Sequence, residues 1–166
     1  NILLIPFTAW LPLWASGWSA ALLGAICMAG TVGACYRIAA HVGLGRAGRL
    51  TVVLLLVTNP SFVYVHTTGL SEPVLILFLS SAAAGLASYA LVSRPMSAGE
   101  TMVFCGLPAA CAVLSRYEGW AIVMSGALFI AIVAWRRQRG RSQRERLRLI
   151  VKSIAAFLLW PGVAAA

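Results

Sequence analysis

The chain has 166 residues, of which 61% are hydrophobic and 10% charged, with a mean hydropathy of +0.90 and a net charge of +9. A soluble globular domain carries about 25% charged residues, so this composition excludes one and implies an integral membrane protein. A span takes about 20 residues to cross a hydrocarbon core of ~30 Å, which leaves room for about six spans with short loops and none for a separate soluble catalytic domain.

Residues 1–16, NILLIPFTAWLPLWAS, are apolar but broken by Pro6 and Pro12 and carry Trp10 and Trp14. They read as an interfacial segment in the aromatic belt. The first span runs from Gly17 to about Ile38, with Ala25, Ala29 and Gly33 as a stripe of small residues for close helix approach. Arg37, His41, Arg46 and Arg49 mark a basic turn. Leu50 to Thr68 is the second span, interrupted by Asn59-Pro60, where proline removes a donor and predicts a kink or two half-helices. Ser71 to Val92 is the third. Its Ser71-Glu72-Pro73 opening suits a helix start, with a cap, a first-turn acid and an early proline. The fourth span runs from Thr101 to Ser115, the fifth from Gly119 to Trp135, and the sixth from about Leu149 onward. The expected fold is all-α, a polytopic transmembrane helical bundle of five to six helices forming a single domain over 1–166.

The charges are 12 Arg, Lys152, four Glu (Glu72, Glu100, Glu118, Glu145) and no Asp. Eight of the 13 cations lie between Arg136 and Lys152. A basic block directly after an apolar run is the signature of a cytoplasmic loop near anionic lipid, here 136–148. It lacks the aromatic or motif signal that nucleic-acid binding requires. Alternation then makes the turns at 37–49 and 93–100 cytoplasmic as well, so 12 of 13 cations fall on that side. The outer side keeps Arg116, together with Glu72 and Glu118. Cys27, Cys35, Cys105 and Cys111 lie inside apolar stretches without metal-ligand spacing and read as small core hydrophobes; the sequence assigns no metal site.

The fourth and fifth spans have 15 and 17 residues, about 22 and 25 Å of helix. Both are short for the ~30 Å core, so the Arg116-Tyr117-Glu118-Gly119 turn between them is expected to sit below the outer headgroups. Ionisable groups at that depth require protein interior or a water-filled cavity. Two readings follow: a substrate cavity lined by Glu72, Arg116, Tyr117 and Glu118, with Asn59 and His66 at its border, or a structural ion pair of Arg116 with Glu118 or Glu72. His66 divides in the same way between a cavity residue and a hydrogen-bonded packing residue.

Two stretches carry a resemblance. NPSFVYVHTTGLSEP (Asn59 to Pro73), followed by a long apolar helix and then LSRYEGW (Leu114 to Trp120), resembles GT-C membrane glycosyltransferases, in particular bacterial relatives of the protein O-mannosyltransferases of glycosyltransferase family 39. The run LLIPFTAWLPLWASG is similar to the part that follows the first extracytoplasmic loop of such proteins. The resemblance covers about Ile2 to Trp135. It implies a multi-pass enzyme of the bacterial plasma membrane, taking a mannose-like sugar from a polyprenyl-phosphate donor to an acceptor hydroxyl on the outer face. That reaction needs a carboxylate near the acceptor and a cation near the departing phosphate. Glu72 fits the first role and Arg116 the second. A divalent metal cofactor is left open. The family's principal catalytic acid belongs to the first extracytoplasmic loop, whereas no acid precedes Glu72. The resemblance therefore implies either a fragment whose first helix and catalytic loop lie upstream of Asn1, the reading the abrupt start favours, or an inactive relative. A transporter or channel segment, with Glu72 and Arg116 lining a solute path, is the alternative from another class, since broken helices also serve transporters.

Overall fold

A computed structural model describes residues 17–67, 71–138 and 142–165; the expected interfacial segment at 1–16 lies outside them. Seven helices follow in chain order: α1 (Trp18–His41), α2 (Arg46–Val57), α3 (Pro60–Thr67), α4 (Glu72–Leu91), α5 (98–115), α6 (Trp120–Arg137) and α7 (Gln143–Ala165). Among the described residues five of them are long and apolar enough to cross a membrane, and α2 with α3, bent by 61°, passes the same test only as a pair, as a broken span or a re-entrant loop would. The bundle is all-α, as expected from the apolar runs.

The bend falls at Asn59-Pro60. Asn59 Oδ1 accepts from the backbone N–H groups of Ser61 (3.0 Å) and Phe62 (3.2 Å). The side chain therefore caps the second half-helix where proline ends the first. At the start of α4 the sequence reading is corrected in one respect. Glu72 and Pro73 do occupy the first turn, but Ser71 makes no side-chain cap and its backbone is already helical. A hydroxyl caps from an extended backbone position, which Ser71 does not adopt.

The α1 contact face is also displaced from the expected stripe. Gly24, Cys27, Thr31 and Ala34 are buried, whereas Ala25, Ala29 and Gly33 are not. The His66 carbonyl rests on Gly24, and no Cβ fits there. Helix α1 packs alongside α4, with Gly30 against Leu77 and the His41 ring hydrogen-bonded to Ser88 Oγ at 2.8 Å. Both pairs are 47 residues apart, so α1 and α4 run parallel and in register. Glu72 then lies level with Ala25, seven residues and about 10 Å along α1 from Trp18.

A second cluster joins α4 to α7: Ala82, Leu86, Tyr89, Cys105, Ala109, Val123, Ile130 and Phe157 are all buried together. Two prolines shape it. Pro108 and Pro161 lie inside helical segments, four residues after Phe104 and Phe157, whose carbonyls consequently lose their usual helical donors. Around Phe104 the helix widens into a π-turn, Met102–Gly106. The Phe104 carbonyl lies on Gly85 and the Phe157 carbonyl on Gly106. Glycine at each receiving position lets the backbones touch and gives the carbonyl a weak Cα–H donor.

The spans differ modestly in extent from the sequence reading. Helix α5 begins at Ala98, under a capping box in which Ser97 Oγ accepts from Glu100 N–H and the Glu100 carboxylate accepts from Ser97 N–H. Helix α7 begins at Gln143, so the second half of the basic 136–148 stretch is helical; Gln, Arg, Glu and Leu are all good helix formers.

Candidate active site

Four residues of the α5–α6 junction build the site. Helix α5 ends at Ser115, Arg116 turns extended (φ −159°, ψ 154°), and Tyr117–Gly119 make one 3₁₀ turn before α6. The two-helix arrangement expected from the short spans is present. Gly119 is the residue that permits it. Its N–H donates to the Arg116 carbonyl at 3.0 Å, and its Cα lies on the Ala112–Val113 backbone so closely that a Cβ would collide with main-chain atoms.

The turn aims Arg116 at two carboxylates. Nε and Nη2 donate to the two oxygens of Glu118, each at 3.1 Å, a side-on fork made within the turn. Nη1 donates to Glu72 Oε1 at the start of α4, 44 residues away in sequence. The three side chains are roughly a third exposed. Guanidinium has five N–H donors; three are used, leaving one on each Nη. Glu118 first, and Glu72 after it, push the Arg116 guanidinium further above its ordinary range, so it stays charged. The cluster carries two negative charges against one positive. It leaves one oxygen, Glu72 Oε2, buried without a hydrogen-bond partner.

Of the two sequence alternatives for Arg116, the ion pairs are present, to both Glu118 and Glu72. The other expected lining residues are divided. Tyr117 is 79% exposed beside the cluster. Asn59 is spent on capping α3 and does not join the Arg116 group. His66 is buried at 2% exposure, its Nδ1 paired with the Phe62 carbonyl at 2.7 Å and its ring against Phe62. The packing role of His66 is thus realised, yet its Nε2 is buried with no partner. Because the His66 carbonyl sits on Gly24 and Glu72 is level with Ala25, His66 and Glu72 share one depth. Among the described residues no group of three His, Cys, Asp or Glu could hold a metal ion.

The sequence reading passed over Gly119 and Gly24, which set this geometry. Gly119 could have been found, since it ends the Arg-Tyr-Glu-Gly run between two spans too short to be one helix.

The family model for dolichyl-phosphate-mannose-protein mannosyltransferases matches residues 7–163. The chain belongs to this family. It is therefore a multi-pass membrane protein of a mannosyltransferase-type glycosyltransferase family, consistent with the resemblance carried by the Asn59–Pro73 and Leu114–Trp120 stretches. No curated protein and no solved structure shows a significant match to it.

Proposed function

We propose that the chain forms the membrane core of a glycosyltransferase that moves a mannose-like sugar from a polyprenyl-phosphate donor to an acceptor hydroxyl, at the Glu72–Arg116–Glu118 cluster on the outer face of the membrane. Family membership supports the reaction class and weighs against a transporter. The observation that carries the site is the unequal hold on Arg116: a two-pronged grip by Glu118 next door and a single bond to the distant Glu72.

In this reading Glu118 orients the guanidinium and Glu72 is its exchangeable partner. The donor phosphate takes the Nη1 and Nη2 donors, which suits a planar cation with bidentate geometry. Glu72, released, accepts the acceptor hydroxyl. As that oxygen attacks the anomeric carbon, its proton passes toward a carboxylate and the glycosidic bond to phosphate breaks. Arg116 stabilises the negative charge growing on the leaving phosphate, more strongly in a water-poor site than in bulk. Glu72 assists the acceptor and is not required to be the sole base.

The test is Glu72→Gln in the intact protein in membranes. Turnover falls at least about 100-fold, the low end for lost acid–base function, while expression holds. Near-normal turnover would reduce Glu72 to a first-turn helix acid.

A further inference from the structure

A cavity of about 360 Å³ opens at the other end of the bundle, between α1, the end of α4 and the start of α5. Its size is within the usual range of ligand pockets, about 300–1,000 Å³, and the sugar-transfer reading makes no use of it. Its lining is mixed: exposed Arg37 and Arg94, the His41–Ser88 hydrogen bond that joins α1 to α4, and Phe104, about one turn along α5 from Glu100 toward the interior of the span and half exposed.

The charges are unbalanced. Arg94 is paired with Glu100, whose carboxylate also lines the cavity and accepts from Ser97 N–H. Arg37 has no carboxylate partner among the described residues, so the rim keeps one uncompensated cation. An uncompensated guanidinium above an apolar wall, where a membrane helix meets water, complements an amphiphilic anion: phosphate above, hydrocarbon below.

We propose that this groove binds an anionic glycerophospholipid, its phosphate on Arg37 and Arg94 and the start of its acyl chain against Phe104. Inorganic phosphate could satisfy the same two cations but has nothing to place on Phe104, and that difference separates the sources.

The experiment is native mass spectrometry of the intact protein in neutral detergent, titrated with phosphatidylglycerol, phosphatidylcholine or inorganic phosphate. The expected result is one retained phosphatidylglycerol, held about tenfold or more above phosphatidylcholine. Arg37→Gln, at a side chain without hydrogen bonds among the described residues, removes about tenfold of that retention, in line with loss of a charged hydrogen bond. Phe104→Ala weakens phosphatidylglycerol as well, and Arg136→Gln, outside the groove at the same end, changes nothing. Equal retention of the two lipids, or an Arg37→Gln protein that binds as before, overturns the proposal. Phosphate that displaces phosphatidylglycerol at equal concentration, with no effect of Phe104→Ala, also overturns it and assigns the groove to a soluble anion.

Discussion

At one end of the bundle a single arginine is shared by two carboxylates; at the other, three arginines are held by backbone carbonyls. Arg137 donates to the carbonyls of Ala90 (2.9 Å) and Val92 (2.8 Å) at the close of α4. Arg49 donates to the Leu44 carbonyl beyond α1 and lies over the Tyr36 ring; Arg146 donates to the Gln138 carbonyl beyond α6 and lies over Trp135. Helices α1, α4 and α6 all finish at this end, and their last carbonyls lack helical donors and carry partial negative charge. Arginine answers both needs. The four glutamates show the complementary habit: Glu72, Glu100 and Glu145 sit in the first turns of α4, α5 and α7, and Glu118 in the 3₁₀ turn leading into α6. Helix polarity therefore accounts for much of the charge placement at both ends. It does not account for Glu72 Oε2, a buried acceptor with no hydrogen-bond donor in the structure, on which the proposed function draws.

The comparison makes its largest demand on sidedness. If the positive-inside distribution holds, the two ends face different compartments. Replace the four native cysteines, then place a single cysteine at Tyr117 or at Ser142 and treat intact cells with a membrane-impermeant thiol reagent. Position 117 labels and position 142 does not. Labelling at 142 alone would invert the topology and remove the outer-face assignment.

Next in size is Gly119→Ala. The added methyl group meets the Ala112–Val113 backbone, and main chain cannot turn aside as a side chain can. Overpacking of this kind costs about 1–3 kcal/mol or more. The junction must open, carrying Arg116 and Glu118 away from Glu72. The expected outcome is turnover near background and a lowered melting temperature in detergent. Gly33→Ala is the matched control: nothing lies within 4 Å of its Cβ, and alanine in a helix interior gains roughly 0.5–1 kcal/mol over glycine. Retained turnover in Gly119→Ala would mean that the cluster geometry is dispensable.

Within the cluster, a double-mutant cycle separates chemistry from fastening. Arg116→Ala is expected to cost at least as much turnover as Glu72→Gln. Arg116→Lys keeps the charge and loses the fork, so donor use weakens while folding is normal. The deciding variant is Arg116→Ala with Glu118→Ala. If the pair is only a fastening, removing both carboxylate and cation relieves the unpaired charge and turnover recovers. The phosphate role predicts no recovery.

What the sequence made legible follows from where the physics is local. Span positions come from bilayer thickness, the α2–α3 bend from Pro60, and the α5–α6 junction from two runs too short to be otherwise. The α1 contact face was not legible, because Ala25, Ala29 and Gly33 are as small and apolar as Gly24, Cys27 and Ala34. In a bilayer the lipid-facing and protein-facing sides of a helix can share one hydropathy, so the partner decides. The π-turn at Met102–Gly106 was not read from the sequence: Pro108 lies six residues after Met102, but proline alone does not distinguish a kink from a widened turn. Glu72, Arg116 and Glu118 could be grouped because they share the charge-poor side. Asn59 was grouped with them by depth alone, and its capping bonds to Ser61 and Phe62 show why depth is a weaker criterion than charge.

The smallest expected effect lies at the basic end. Ser97→Ala removes the hydroxyl half of the α5 capping box, where Ser97 Oγ accepts from Glu100 N–H at 3.2 Å. Loss of such a cap costs about 1 kcal/mol, which corresponds to a drop of roughly 2–4 °C in melting temperature for a chain of this size. Turnover is unchanged, because the cap is a whole helix away from Glu72. The Arg94–Glu100 pair beside it adds little, since Arg94 is 70% exposed and surface ion pairs are screened. Arg94→Gln should therefore leave the melting temperature within about a degree of the parent. Ser97→Ala combined with Arg94→Gln should add simply, their roles being separate. A loss of turnover in Ser97→Ala that exceeds its loss of folded protein would show that the two ends communicate along α5, through the π-turn that lies between them.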